Sequence, residues 1–198
     1  MLKRMAGAIA LILLVACKAE NQSGLPQTET TGSESTMTST ASATTTGDSG
    51  GTLSAMTPDD KEFVVKAGMG GLFEVQAGNL ALEKASNQDV RTFAQRVVTD
   101  HSKANAELAQ LATTKGVALA TELAGDHKAA MEHLTSLNGA EFDKAFMHHM
   151  VDDHTKDVGE FEKASTSATD AELKGWAART LPTLREHAKL ANEVAGRV

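Results

Sequence analysis

Two histidines, His101 and His154, close two copies of one nine-residue phrase, Phe93 to His101 and Phe146 to His154. Each copy reads Phe, three residues, an apolar pair, one polar residue, Asp-His. On a helix Phe93, Val97 and His101 fall at i, i+4 and i+8, as do Phe146, Met150 and His154. Each imidazole therefore prolongs an apolar stripe instead of sitting on the wet face. Two helices that each send one histidine inward can hold a hydrogen-bonded pair or part of a metal site.

The elements that must position these residues follow from start and stop signals. Thr57-Pro58-Asp59-Asp60 opens a first helix running to about Ala85: Thr57 caps, Pro58 suits the first turn, and the acids complement the positive helix end. Gly68, Gly70, Gly71 and Gly78 weaken this helix but let another backbone come close, and Glu74 lies on that close-contact face. Ser86-Asn87-Gln88-Asp89 starts a second helix, with Ser86 as cap, which stops at Gly116. The tight join makes the first two helices antiparallel neighbours. A connection from Val117 to Leu137 carries a short helix over Asp126 to Ser136. A link of that length can cross the bundle and leave the next long helix parallel to the second. Capping boxes at Asn138-Gly139-Ala140-Glu141 and Thr169-Asp170-Ala171-Glu172 open the third and fourth long helices, and Pro182 predicts a kink or break in the last. The fold class is all-α: a ferritin-like four-helix bundle with a long crossover carrying a short extra helix.

The residues ahead of this domain read differently. Lys3 and Arg4 precede an apolar stretch, Met5 to Ala16, which is shorter than the roughly 20 residues of a membrane span. It ends in Leu14-Val15-Ala16-Cys17, which resembles the bacterial lipobox. Residues 1–16 are thus expected to be a lipoprotein signal peptide, with Cys17 the lipidation site and the membrane a partner through that anchor. Lys18 in place of an acid favours the outer membrane, facing the periplasm. Cys17 is the only cysteine, which excludes a disulfide framework. Residues 17–56, rich in Ser, Thr and Gly, bury too little to offset ordering entropy and read as a disordered tether to the domain at 57–198. The net charge is −7, falling to −9 when Lys3 and Arg4 leave with the leader; with no basic patch, nucleic-acid binding is set aside.

Gly71-Leu72-Phe73-Glu74 with Gly78-Asn79-Leu80-Ala81, the phrase Phe93 to His101, Phe142-Asp143 with Met150-Val151 and His154, and Leu181-Pro182-Thr183-Leu184 with His187 together resemble a bacterial family of predicted outer-membrane or secreted proteins, domain of unknown function 4142. The resemblance spans about Pro58 to Val198. It implies a ferritin-like helical domain in envelope proteins, many of them lipoproteins, and supplies no activity.

Four polar residues face inward, one from each long helix: Glu74, His101, His154 and His187. Ferritin-like proteins place metal ligands in this way, and imidazole with carboxylate suits a single Zn, Fe, Mn or Cu ion. Asp100, Asp153 and Glu186, each preceding a histidine, are the candidate partners for the second ring nitrogens. The residues three before the histidines are Val98, Val151 and Leu184, so the Glu-x-x-His pairs of a di-iron centre are missing. The plainer expectation is three neutral core histidines hydrogen-bonded to Glu74, Asp100 or Asp153 across helices, with no cofactor required. His149 and Asp153, at i and i+4, form a surface pair. No Ser-His-Asp order, phosphate loop or free nucleophile is visible, so an enzyme is not the leading expectation. The leading reading is a non-catalytic envelope lipoprotein serving as a binding or interaction module for a protein or small molecule, linked to envelope stress. The alternative is a metal-binding or metal-dependent redox protein using the four central residues.

Overall fold

The computed structural model describes Met56–Val198; the expected leader, the lipidation site expected at Cys17 and the expected tether up to residue 55 lie outside the described residues. Five helices follow in order: α1 (Pro58–Lys84), α2 (Gln88–Lys115), α3 (Gly125–Ser136), α4 (Gly139–Ser167) and α5 (Ala171–Ala195). There is no strand among the described residues, and none of their helices is long and apolar enough to cross a membrane. The short α3 lies within the crossover, as its sequence signals predict.

The apolar side chains form two clusters. In one, Phe73 and Ala81 from the C-terminal half of α1 meet Phe93 near the start of α2, Phe142 and Phe146 near the start of α4, and Val194 near the end of α5. In the other, Val64 near the start of α1 meets Leu108 late in α2, Phe161 late in α4, and Trp176 early in α5. This pairing of ends makes α2 and α4 parallel, with α1 and α5 running the opposite way, so the crossover traverses the bundle. Each fully buried Phe or Leu contributes about 1.5–3 kcal/mol. A polar layer separates the clusters, where Glu74, His101, His154 and His187 are all buried.

Two aspartates lock the hairpins together. Asp60 of α1, 5% exposed, accepts the backbone N–H groups of Thr169 (3.1 Å) and Asp170 (2.9 Å) at the α4–α5 turn. Asp143 of α4, 2% exposed, accepts Ser86 N (3.1 Å), Asn87 N (2.9 Å) and the Ser86 hydroxyl at the α1–α2 turn. At these turns two helix starts shift from the sequence expectation. With Ser86 held by Asp143, the cap of α2 is Asn87, which accepts from Asp89 N and Val90 N. At the other turn Asp60 accepts from the backbone of both Thr169 and Asp170, and the cap of α5 is Asp170, which accepts from Glu172 N and Leu173 N. Asn138 makes no side-chain cap bond, so the box expected there does not form. Thr57 caps α1 as expected, accepting from Asp60 N at 3.2 Å.

The helix α5 continues through Pro182 without the break its sequence suggests. Pro182 and Ala178, whose carbonyl loses its usual donor, are both exposed, where solvent can take the donor's place. Gly71 and Gly78 explain the close α1–α2 approach: a Cβ at Gly71 would lie 2.0 Å from Asn105 Oδ1, and one at Gly78 would lie 2.6 Å from Val98 Cγ2.

Candidate metal centre

The repeated phrase delivers its histidines as the spacing requires. His101 comes from α2 and His154 from α4, with ring centroids 5.5 Å apart. His187 enters from α5, 5.3 Å from the His101 ring and 5.2 Å from that of His154. One nitrogen of each imidazole lies within 4.8 Å of the others. Glu74 of α1 completes the layer: Oε2 is 2.8 Å from His101 Nδ1, and Oε1 is 3.3 Å from His154 Nε2.

Hydrogen bonding fixes the tautomers. His154 Nδ1 donates to the Met150 carbonyl at 2.8 Å, because a carbonyl only accepts; Nε2 of the neutral ring is then a bare lone pair. His187 Nε2 donates to Asp100 Oδ2 at 2.9 Å, which leaves Nδ1 as the lone pair. These two lone pairs face each other at 3.3 Å, with Glu74 Oε1 at 3.3 Å from the first. Three acceptors thus converge with no donor between them. The Glu74–His101 contact lies off hydrogen-bond alignment, so both carboxylate oxygens, and Nε2 of His101, have no hydrogen-bond partner despite complete burial. Such a cluster is a site for a cation, whether a proton or a metal ion.

The electrostatics agree. Burial alone would raise Glu74, but the three surrounding imidazoles outweigh it and hold the carboxyl down at about 2. Burial lowers His154 despite Glu74. Burial takes His187 down to about 4 despite its bond to Asp100. His101 moves the other way: burial would lower it, but Glu74 and Asp100 together raise it. Near neutral pH His154 and His187 are thus held in their neutral forms, while the Glu74 carboxylate favours the charged form of His101.

Of the three acids expected to support the histidines, Asp100 does so, across the α2–α5 interface. Glu186 does not: it faces Arg96 at 3.8 Å on the surface. Asp153 makes no hydrogen bond to a histidine. It lines a cavity shared with Glu74, and burial together with the Glu74 charge raises it to about 6. Asp157 one turn on, half-buried, is raised well above the carboxylate range for the same two reasons. The surface pair also differs from expectation, because His148 pairs with Asp152 at 3.3 Å while His149 turns toward Phe73, 6.2 Å between centroids. Sequence reading passed over Trp176, whose Nε1 is buried without a partner; with Glu74, His101 and Asp157 it lines a cavity of about 20 Å³, room for a single water molecule.

The bundle is similar to several solved structures. A DUF305 fragment from Deinococcus radiodurans superposes with a TM-score of 0.64 at 17% identity, covering 73% of this chain and 99% of that one. A DUF305 protein from Streptomyces coelicolor gives 0.60 at 13% identity, covering 70% and 93%. CopM in its Cu(II)-bound form gives 0.59 at 15% identity, covering 70% and 96%. At these identities the likeness is one of fold. No curated protein matches the sequence. The model of the family described as domain of unknown function (DUF4142) matches residues 45–194, and the chain belongs to that family.

Proposed function

We propose that this protein is a non-catalytic metal-binding module of the bacterial envelope, holding one late first-row divalent ion at the bundle centre through His101, His154, His187 and Glu74. One observation carries the reading: the converging lone pairs of His154 Nε2, His187 Nδ1 and Glu74 Oε1 are separated by 3.3 Å and 3.3 Å along two edges. Ligand atoms bound at 2.0–2.1 Å to a tetrahedral ion lie roughly 3.3 Å apart. The donor set already sits at coordination spacing, and a small side-chain movement brings in His101. Three imidazoles and one carboxylate suit Cu(II) or Zn(II), and the general order of divalent affinities favours Cu(II). That CopM has a Cu(II)-bound form on a similar bundle supports the same class of ligand. With a single carboxylate at the centre, the bridging pair of a di-iron site is not assembled. The leader and Cys17 support an address outside the cytoplasm, lipid-anchored at the outer membrane.

The test is metal retention by the purified protein. After incubation with Cu(II), Zn(II) or Ni(II) and desalting, elemental analysis should find one ion per chain, Cu(II) held most tightly. A His154→Gln, His187→Gln double variant, shown to be folded by circular dichroism, should retain none. Asp100→Ala, which removes the acceptor orienting His187, should weaken binding about 10–100-fold. No stoichiometric retention of any of the three ions, or equal retention by the double variant, would overturn the reading.

A further inference from the structure

The centre has two approaches from the surface. One, between α2 and α5, is a cavity of about 210 Å³ reaching His101 and His187; its charged rim balances Asp100 and Glu107 against Lys103 and Arg179. The other, between α1, α3 and α4, is larger, about 470 Å³, and ends on Glu74. Its walls carry Asp126, Asp152, Asp153 and Glu160 against Lys66 and Lys156, with Asp157, which burial and the Glu74 charge push toward its neutral form, deeper in. The gradient of burial runs inward, from exposed Asp126, Asp152 and Glu160 through half-buried Asp157 to Glu74 at 1% exposure. The Glu74 oxygens, without a hydrogen-bond donor, terminate this cavity.

The seven histidines divide on the same lines. Three are in the centre, and the other four lie on α3 and α4: His127, His133, His148 and His149. Two of these, His127 and His149, line the acidic cavity, both set against the buried Phe73 ring at 5.2 and 6.2 Å. Burial lowers both, so each presents a neutral imidazole near neutral pH. A concave acidic surface with low-dielectric walls concentrates cations, and imidazoles along it offer replacement ligands as an ion loses its water.

We propose that this cavity is a cation-loading vestibule: divalent ions collect on its carboxylates, pass His127 and His149, and are handed to Glu74 and then to the three central histidines. The proposal rests on the metal reading above and assigns the route by which the ion arrives. Gly70 offers a direct test. It lines the vestibule, and a Cβ there would meet no atom within 4 Å, so a larger side chain can narrow the passage without displacing the bundle.

Loading of the metal-free protein by Cu(II) is followed by stopped-flow quenching of Trp176, the only tryptophan, which shares a cavity with Glu74 and His101. Gly70→Leu should slow loading tenfold or more while leaving the final stoichiometry at one. Asp126→Asn with Asp152→Asn, two exposed changes that spare the core, should slow it several-fold and flatten its dependence on ionic strength. Arg179→Glu at the other opening should leave the rate unchanged. A protein that loads at the same rate in both vestibule variants, or is accelerated by Arg179→Glu alone, would sink the vestibule and leave the metal centre standing. A protein that retains no metal at all would remove both.

Discussion

Glu74 is an ionised carboxyl at 1% exposure in a layer that leucines would otherwise fill. Burying such a charge costs several kcal/mol unless it is compensated, and its influence reaches the neighbouring acids. Burial and the Glu74 charge raise Asp153 from 3.8 to about 6. The sign follows from linkage: an acid raised on folding is penalised only where the unfolded chain has lost its proton. The penalty is absent below pH ~3, grows between about pH 4 and pH 6 and is complete above that. In the metal-free protein Asp153→Asn should therefore be more stable than the wild type by about 2 kcal/mol at pH 7.5, allowing for solvent screening of this partly exposed group, and equal to it near pH 3. Urea unfolding at both pH values checks this; a difference that does not change with pH would refute the assignment. At this scale the sequence was a good guide to inward direction and a poor guide to partnership. Helical spacing placed all four central residues correctly, because a side chain's face depends only on its own helix. The acids before the histidines point a hundred degrees away from them, so Asp100 meets His187 of another helix and Glu186 meets Arg96. Such pairings need the register between helices, which no local pattern carries.

Asp60 and Asp143 show how that register is set between elements. Each sits near the start of the first helix of one hairpin and captures backbone donors at the turn of the other. The two hairpins are thereby clasped reciprocally at opposite ends of the bundle. Asp143→Ala would remove the carboxylate that accepts from Ser86 N, Asn87 N and the Ser86 hydroxyl at this partly exposed turn, where a hydrogen bond to a charged group contributes at most about 1.5–3 kcal/mol. The variant should lose about 3 kcal/mol by urea denaturation, while Ser86→Ala, which keeps both backbone bonds, should lose about 1 kcal/mol. Equal losses would show that the hydroxyl, not the turn backbone, is the anchor. The same contacts explain where helix boundaries were legible. Thr57-Pro58 and the left-handed Gly116 (φ 67°) are purely local signals and fall where expected. At Ser86-Asn87 and Thr169-Asp170 two cap-competent residues stand side by side; at the first pair the distant Asp143 holds the Ser86 hydroxyl and leaves Asn87 to cap, and at the second the cap is Asp170.

At the level of the whole molecule, the parallel run of α2 and α4 brings two copies of one phrase to the same height, which an uncrossed four-helix chain would not do. The crossover was legible because a link containing α3 is too long for a hairpin. The acidic vestibule was not, because its walls come from three helices and run from Lys66 to Glu160 of the chain. Ligands from all four long helices mean that an ion would join both hairpins across the layer dividing the two apolar clusters. None of the described helices is long and apolar enough to cross a membrane, so the proposed anchor is placed ahead of the domain. The whole chain has a net charge of −7 and is repelled by anionic lipid, so the proposed attachment is hydrophobic, through Cys17 behind its apolar stretch. Acyl chains bind through their buried methylenes, a term insensitive to ionic strength. The wild-type protein should therefore sediment with membranes, resist extraction by 1 M salt (on the order of a 3 Å screening length) and be released by detergent. Cys17→Ser should instead be recovered in the soluble fraction and still bind one metal ion per chain, because the centre is built entirely within α1, α2, α4 and α5. Unchanged sedimentation of Cys17→Ser would refute lipid anchoring, and salt release of the wild type would assign the attachment to charge.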